Sequence, residues 1–230
     1  MKNISFELNK GDKLAIIGRT GSGKSTIADL LTRMYDVTSG TIKIDGKDIQ
    51  ALNLDNLRNQ IGYVPQDVFL FSDTIASNIS FGKPGVASQT IETYAKHAAV
   101  YDEIMGLSNG FDTMVGERGV TLSGGQKQRI SIARALVKSP EIIILDDCLS
   151  AVDTSTERQI TGHLNAALSD KTTIIITHRI YGLLEFDKII VLDKGTIIEQ
   201  GKHQELMNQK GYYFKQYRKQ MAEEETNLSE

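Results

Sequence analysis

Residues Gly18-Arg19-Thr20-Gly21-Ser22-Gly23-Lys24-Ser25 form a complete G-x-x-x-x-G-K-S sequence, and their surroundings constrain the fold more than any other feature. An apolar run, Lys13 to Ile17, precedes the glycines. Ser25 to Tyr35 follows, with Ile27, Leu30, Leu31 and Met34 at the spacing of one helix face. Strand, glycine-rich turn and helix in that order make a phosphate-binding loop, because backbone N–H groups and the helix N-terminus converge on one anion. Lys24 is placed to reach the β- and γ-phosphates of a nucleotide, and the Ser25 hydroxyl to ligate Mg²⁺. The candidate nucleotide-binding stretch is Gly18, Arg19, Thr20, Gly21, Ser22, Gly23, Lys24, Ser25 and Thr26.

The rest of the chain supplies a sheet around that unit. Glu141 to Leu145 and Thr172 to Ile176 are continuous apolar runs, as strands buried on both faces require. Thr154 to Leu168 has the length of a crossover helix between them. Ile61 to Val64 reads as a strand ending at Pro65, and Leu57 to Gln60 as a helical turn before it. Thr41 to Asp45 alternates as a strand and meets a turn at Asp45-Gly46. Lys188 to Leu192 and Thr196 to Gln200 flank a second turn at Asp193-Lys194-Gly195. Between about 72 and 138 strand signals vanish, and Thr90 to Leu107 and Gln126 to Lys138 read as helices. The expected fold class is α/β: a P-loop NTPase (RecA-like) with a mostly parallel sheet flanked by helices, an inserted α-helical subdomain and an antiparallel β-hairpin region. Residues 1–71 and 139–221 are expected to form the nucleotide-binding core and 72–138 the inserted helical subdomain. Two helices close the core, and 222–230 is an acidic, flexible tail.

A net charge of −3 gives no reason to expect nucleic acid as a partner. No apolar run approaches the roughly 18 residues that span a bilayer. The single cysteine, Cys148, excludes an internal disulfide. Residues 1–10 alternate like a half-buried strand, so the chain is expected to start inside a structural element of a longer polypeptide.

Four further positions carry chemistry. Asp146 ends an apolar strand, at the sheet edge where ligands of parallel sheets bind, and can hold Mg²⁺ together with Ser25. Asp147 can polarise a water that attacks the γ-phosphate. Its carboxylate sits roughly 1.5 Å further back than that of Glu, and a misplacement near 1 Å can cost about a hundredfold in rate. Gln66, after a strand, can approach Mg²⁺ or that water. His178, after the strand Thr172 to Ile176, can hydrogen-bond the γ-phosphate. Leu122-Ser123-Gly124-Gly125-Gln126 opens a helix. Ser123, Gly124, Gly125 and Gln126 are read as a second anion site, which serves a nucleotide held by a facing subunit. A simple capping turn is the alternative there.

Taken together, these segments resemble the nucleotide-binding domain of ATP-binding cassette (ABC) transporters over about residues 2–220. The matching pieces are the P-loop, the Gln66 loop, the signature Leu122 to Gln126, the Walker B strand ending at Asp146, and His178. Ser150-Ala151-Val152-Asp153 resembles the D-loop. Phe69 to Ile75 and Val115-Gly116-Glu117-Arg118-Gly119 resemble segments of the exporter branch. The resemblance implies an ATPase that uses ATP and Mg²⁺. Two such domains close head to tail, each site pairing one P-loop with the other subunit's signature. It implies a membrane domain, fused upstream, that is driven between inward- and outward-facing states, and a place on the cytoplasmic face of the membrane.

The chain departs from the family pattern in two ways. Asp147 stands where the family usually has Glu. That favours one half of a heterodimeric exporter over a homodimer, with a weakly hydrolysing site on its own P-loop. The aromatic residue that stacks on adenine in the family is expected before Met1. A chain without it binds ATP more weakly by about 1–3 kcal/mol. Two other functions compete: an ATP-gated dimerisation module with little turnover, and a soluble ABC ATPase of translation or DNA repair. The short spacing from P-loop to signature and the single cassette oppose the latter.

Overall fold

The computed structural model describes residues 1–116, 119–148, 160, 162, 164, 168–180 and 186–227, the last four of these by backbone alone. In chain order the elements are β1 (Lys13–Gly18), α1 (Lys24–Leu31), β2 (Lys43–Ile44), β3 (Lys47–Asp48), α2 (Leu54–Asn59) and β4 (Ile61–Val64). Then come α3 (Ile75–Ser80), α4 (Ser88–His97), α5 (Tyr101–Met105), α6 (Gly124–Val137) and β5 (Ile142–Asp146). The last are β6 (Thr172–Thr177), β7 (Lys188–Asp193), β8 (Thr196–Gly201), α7 (His203–Gln209) and α8 (Tyr212–Asn227). They gather into two compact units, Met1–Leu52 with Thr172–Glu230, and Asn53–Lys171. The helices expected between 72 and 138 fall in the second unit, together with β4 and β5.

In the first unit β1 lies between two parallel neighbours. Ile16 is opposite Ile176 of β6 on one side and Ile190 of β7 on the other. Its apolar run is buried on both faces, which is why it does not alternate. β8 pairs antiparallel with β7 through a turn at Lys194 and Gly195, both at positive φ (47° and 76°). β8 alternates in burial as an outer strand does. Ala15, Ile17, Ile180, Ile189, Val191, Leu206 and Tyr213 form a core cluster under these strands. The carboxylate of Glu199 on β8 accepts the N–H groups of Tyr212 and Tyr213, capping α8 with a charge of the sign its N-terminus prefers. The Tyr213 hydroxyl meets His203 Nδ1 at 2.6 Å. Burial, and then the neighbouring Tyr217, push the Tyr213 phenol up to about 12.

In the second unit β4 and β5 pair in parallel, Val64 opposite Leu145, and α6 packs against β4. Gly62 permits that packing: a Cβ there would stand 2.7 Å from Ile143 Cδ1 and 2.9 Å from the Ala135 carbonyl oxygen. Arg134 of α6 bonds the carbonyls of Asn78 and Phe69 and the Asn78 side chain, which ties α3 to α6.

Several local expectations meet a different outcome. Residues 1–10 join no strand ladder, although their burial alternates through Ile4, Phe6 and Leu8. The alternation is that of an extended cover, held by Lys2 N–H to the Gly195 carbonyl and Lys188 Nζ to the Glu7 carbonyl. The helix expected over 90–107 is two helices, because Ala99 turns left-handed (φ 51°) between them. α1 stops at Leu31, where Arg33 (φ 50°) lets Met34 N–H close on the Asp29 carbonyl. α8 continues to Asn227, past position 222 where the polar tail was expected. Most of the expected crossover helix over 154–168 lies outside the described residues.

Candidate functional site

The P-loop runs from the end of β1 to the start of α1. Gly18 is required by close approach: a Cβ there would collide with the Leu192 carbonyl oxygen and lie 2.7 Å from Ser22 Oγ. Gly23, at φ 101°, turns the chain into α1 and gives that helix no side-chain cap, so its leading N–H groups face whatever the loop encloses. Ser22 Oγ is buried and has no hydrogen-bond partner among the described residues. An uncapped helix start, an orphaned hydroxyl and a buried lysine fit a ligand rich in acceptor oxygens, which a nucleotide phosphate chain is. The Lys24 ammonium is buried and donates to the carbonyls of Gly18 (3.0 Å) and Arg19 (3.1 Å). Lys24 Nζ also stands 3.3 Å from His178 Nε2.

That last contact joins two predicted residues 154 positions apart. It arises because β6 runs parallel to β1, Ile17 opposite Thr177, so the residue after each strand emerges at the same edge. A cleft of about 480 Å³ opens here, lined among others by Arg19, Thr20, His178, Tyr212 and Gln216. The Arg19 guanidinium lies 5.9 Å from the centre of the Tyr212 ring.

The second unit holds the remaining candidates. Asp146 closes β5 and is buried. Asp147 follows, also buried, in the left-handed region (φ 45°) that Asp tolerates better than most residues. Gln66 is exposed, two residues beyond β4, at the same strand end as Asp146 and Asp147 because β4 and β5 are parallel and in register. Cys148 is fully enclosed. Burial, and then the Asp147 and Asp146 charges, push its thiol up to about 12. No group of three or more potential metal-ligating His, Cys, Asp or Glu side chains occurs among the described residues. A hydroxyl such as that of Ser25 and a carboxylate such as that of Asp146 are nonetheless the hard oxygen donors Mg²⁺ takes.

Ser123 caps α6. Its Oγ accepts from Gln126 N–H (3.2 Å), and Gln126 Oε1 accepts from Ser123 N–H (2.9 Å). This is the capping turn weighed as the alternative reading. It leaves Ser123 and Gly124 exposed at the helix start. Glu103 of α5 fixes the arrangement: its carboxylate takes the two terminal guanidinium nitrogens of Arg129 (2.7 and 3.0 Å) and the Gln126 amide (2.9 Å).

A model of the ABC transporter family matches residues 1–150. The chain belongs to the ABC transporter family. The relative named ATP-binding cassette sub-family B member 6 of Xenopus tropicalis is 44% identical over 227 residues, 99% of this chain and 27% of that protein. An ATM1-type heavy metal exporter of Novosphingobium aromaticivorans is 47% identical over 223 residues, 97% of this chain and 37% of that protein. A solved bacterial Atm1-family ABC exporter with ATP bound superposes with a TM-score of 0.88 at 47% identity, covering 92% of this chain and 37% of that one. The ABC domain therefore spans about a quarter to a third of the relatives it matches, and the match is to the nucleotide-binding domain of the exporter branch.

Some elements of this ABC domain have no counterpart in the motif reading. Glu103 and Arg129 hold the signature turn, and Tyr212 and Gln216 close the cleft beside His178. The only local signal for Glu103 and Arg129 is their opposite charge; Tyr212 and Gln216 have none. The D-loop candidate Ser150 to Asp153, and Glu117 and Arg118, lie outside the described residues.

Proposed function

We propose that this chain is the ATP-binding and ATP-hydrolysing domain of a membrane exporter. The observation that carries the proposal is the joining of Lys24 and His178 at one strand edge, within a P-loop whose helix is uncapped and whose Ser22 hydroxyl is orphaned. Phosphate oxygens are the acceptors that such a loop lacks. Lys24 binds the β- and γ-phosphates, and His178 donates to the γ-phosphate. Ser25 and Asp146, with Gln66, are the residues that would hold Mg²⁺, which would supply charge neutralisation at the phosphates. Asp147 orients the attacking water.

Two copies of such a domain complete each other, the exposed Ser123 and Gly124 of one covering the nucleotide on the P-loop of its partner. The partner is a second nucleotide-binding domain, a different chain rather than a second copy, because Asp147 is one methylene short. Closure then drives a membrane domain, from the cytoplasmic side, to export its cargo. No helix among the described residues is long and apolar enough to cross a membrane. Names of relatives as exporters favour this reading over a soluble ATPase of translation or repair.

Asp147 also supports a second reading, an ATP-gated dimerisation module with little turnover. Mg-ATP turnover measured against protein concentration, beside ATP-dependent dimerisation by light scattering, separates them. A rate rising with the square of concentration is expected of a self-sufficient homodimer. Dimerisation without turnover is expected of the module. ATP binding with neither activity until a different nucleotide-binding domain is added is expected of a heterodimer half. Absence of Mg-ATP binding sinks all three.

A further inference from the structure

The α8 helix reaches back to the segment that carries His178. Gln220 Nε2 donates to the His178 carbonyl at 3.0 Å, and Gln220 Oε1 accepts from Ile180 N–H at 2.7 Å. The β1–β6 ladder ends at Ile17 and Thr177. Residues 178 to 180 therefore extend past the last strand partner, and one carboxamide takes a strand's place, offering one donor and one acceptor to groups two residues apart. Thr177 Oγ1 adds a third tie by accepting from Arg179 N–H at 2.9 Å. Ile180 is anchored in the core cluster beside Tyr213.

The imidazole itself is exposed, its Nε2 standing 3.3 Å from Lys24 Nζ, so the direction in which it leaves the chain depends on the backbone beneath it. That backbone is held by α8, whose own start is capped by Glu199. Tyr213 and Gln220 are seven residues apart, two helical turns, and so lie on the same face of α8. Tyr213 docks the helix in the core and Gln220 grips the loop.

We propose that Gln220 is the positioning residue for His178, so that the docking of the C-terminal helix sets the aim of the imidazole at the γ-phosphate. The inference rests on the reading of His178 given above. Turnover of the whole chain at varied Mg-ATP is compared for Gln220→Ala, Gln220→Glu, His178→Ala and Gln220→Ala/His178→Ala. Gln220→Glu keeps the size and the acceptor, but sets an oxygen against the His178 carbonyl. It guards against a folding defect in the alanine variant.

Both Gln220 variants are expected to lower kcat by about tenfold or more, as misaiming by a fraction of an ångström to 1 Å does, with KM within about twofold. In the His178→Ala background, Gln220→Ala is expected to add nothing, since both act through one group. Imidazole NMR signals are readable with only four histidines in the chain, and that of His178 is expected to move or broaden in both variants. Losses that add in the double variant, or an unmoved His178 signal with unchanged kcat in Gln220→Ala, overturn the brace. Full turnover in His178→Ala overturns the reading of His178, and with it any part of Gln220 in turnover.

Discussion

Lengthening one side chain at the end of β5 is expected to raise turnover while lowering stability. Asp147 is buried and its backbone is left-handed, with φ at 45°. Asp147→Glu adds one carbon–carbon bond, about 1.5 Å of reach. A catalytic group about 1 Å out of place loses about a hundredfold in rate, so correcting the reach is worth about 10–100-fold. That is about 1.4–2.7 kcal/mol off the barrier. The same change works against folding. Glu tolerates the left-handed region less well than Asp, and an extra methylene must fit into a packed site, which together cost about 1–2 kcal/mol. The two effects have opposite signs, so a general gain or loss of folded protein cannot mimic the result. Phosphate release at saturating Mg-ATP, paired with urea melts, reads both. Asp147→Asn serves as the control: it keeps the shape and the backbone preference, and is expected to remove what turnover the parent has. A kcat for Asp147→Glu no higher than the parent's, with Asp147→Asn equal to the parent, would refute a catalytic role for position 147.

Three other outcomes follow from the structure. Lys24→Ala removes a buried ammonium, now bonded to two carbonyls, from the phosphate site. It is expected to weaken Mg-ATP binding by about 3 kcal/mol or more, over a hundredfold, by calorimetric titration, and unchanged affinity refutes the P-loop assignment. Gly62→Ala places a Cβ 2.9 Å from both the Ala135 carbonyl oxygen and Pro140 Cγ, which forces α6 away from β4. A loss of about 1–3 kcal/mol in denaturant melts is expected, and a neutral result refutes the packing. The Cys148 thiol, raised from 9.0 to about 12 by burial and then by the Asp147 and Asp146 charges, stays protonated in the folded chain where the unfolded chain ionises. Stability therefore falls as pH rises from 9 towards 12, at up to about 1.36 kcal/mol per unit, and Cys148→Ala is expected to remove that slope. Alkylation at pH 8 is expected to be about a thousandfold slower in the native chain than in urea, and equal rates refute the burial.

How much of this was legible in the sequence depends on how far apart the interacting residues stand. The P-loop was legible because its glycines, lysine and serine act within one turn of chain. The hairpin turns at Asp45-Gly46 and Lys194-Gly195 were legible because positive φ leaves its own residue signature. The left-handed turn at Ala99 was not, since alanine carries no such signature and the helical spacing runs through it. The alternation of residues 1–10 was visible, but whether it became a ladder or an extended cover was decided by which backbone groups elsewhere came within reach, Gly195 and Lys188 among them. The site divides the same way. Residue types and spacing named Lys24 and His178 separately, but only the parallel register of β1 and β6 brings them to 3.3 Å.

By itself, then, the sequence named the candidate chemistry: a P-loop motif, carboxylates at a strand end, a capped helix opening on two glycines, and continuous apolar runs that demand a mostly parallel sheet. Tertiary structure alone decided what holds that chemistry in place. Glu103 grips Arg129 and Gln126 across 26 and 23 residues, and Gln220 grips the His178 loop across about 40. Such partners follow no local period, because a hydrogen bond needs two groups near in space and sets no condition on their separation in the chain.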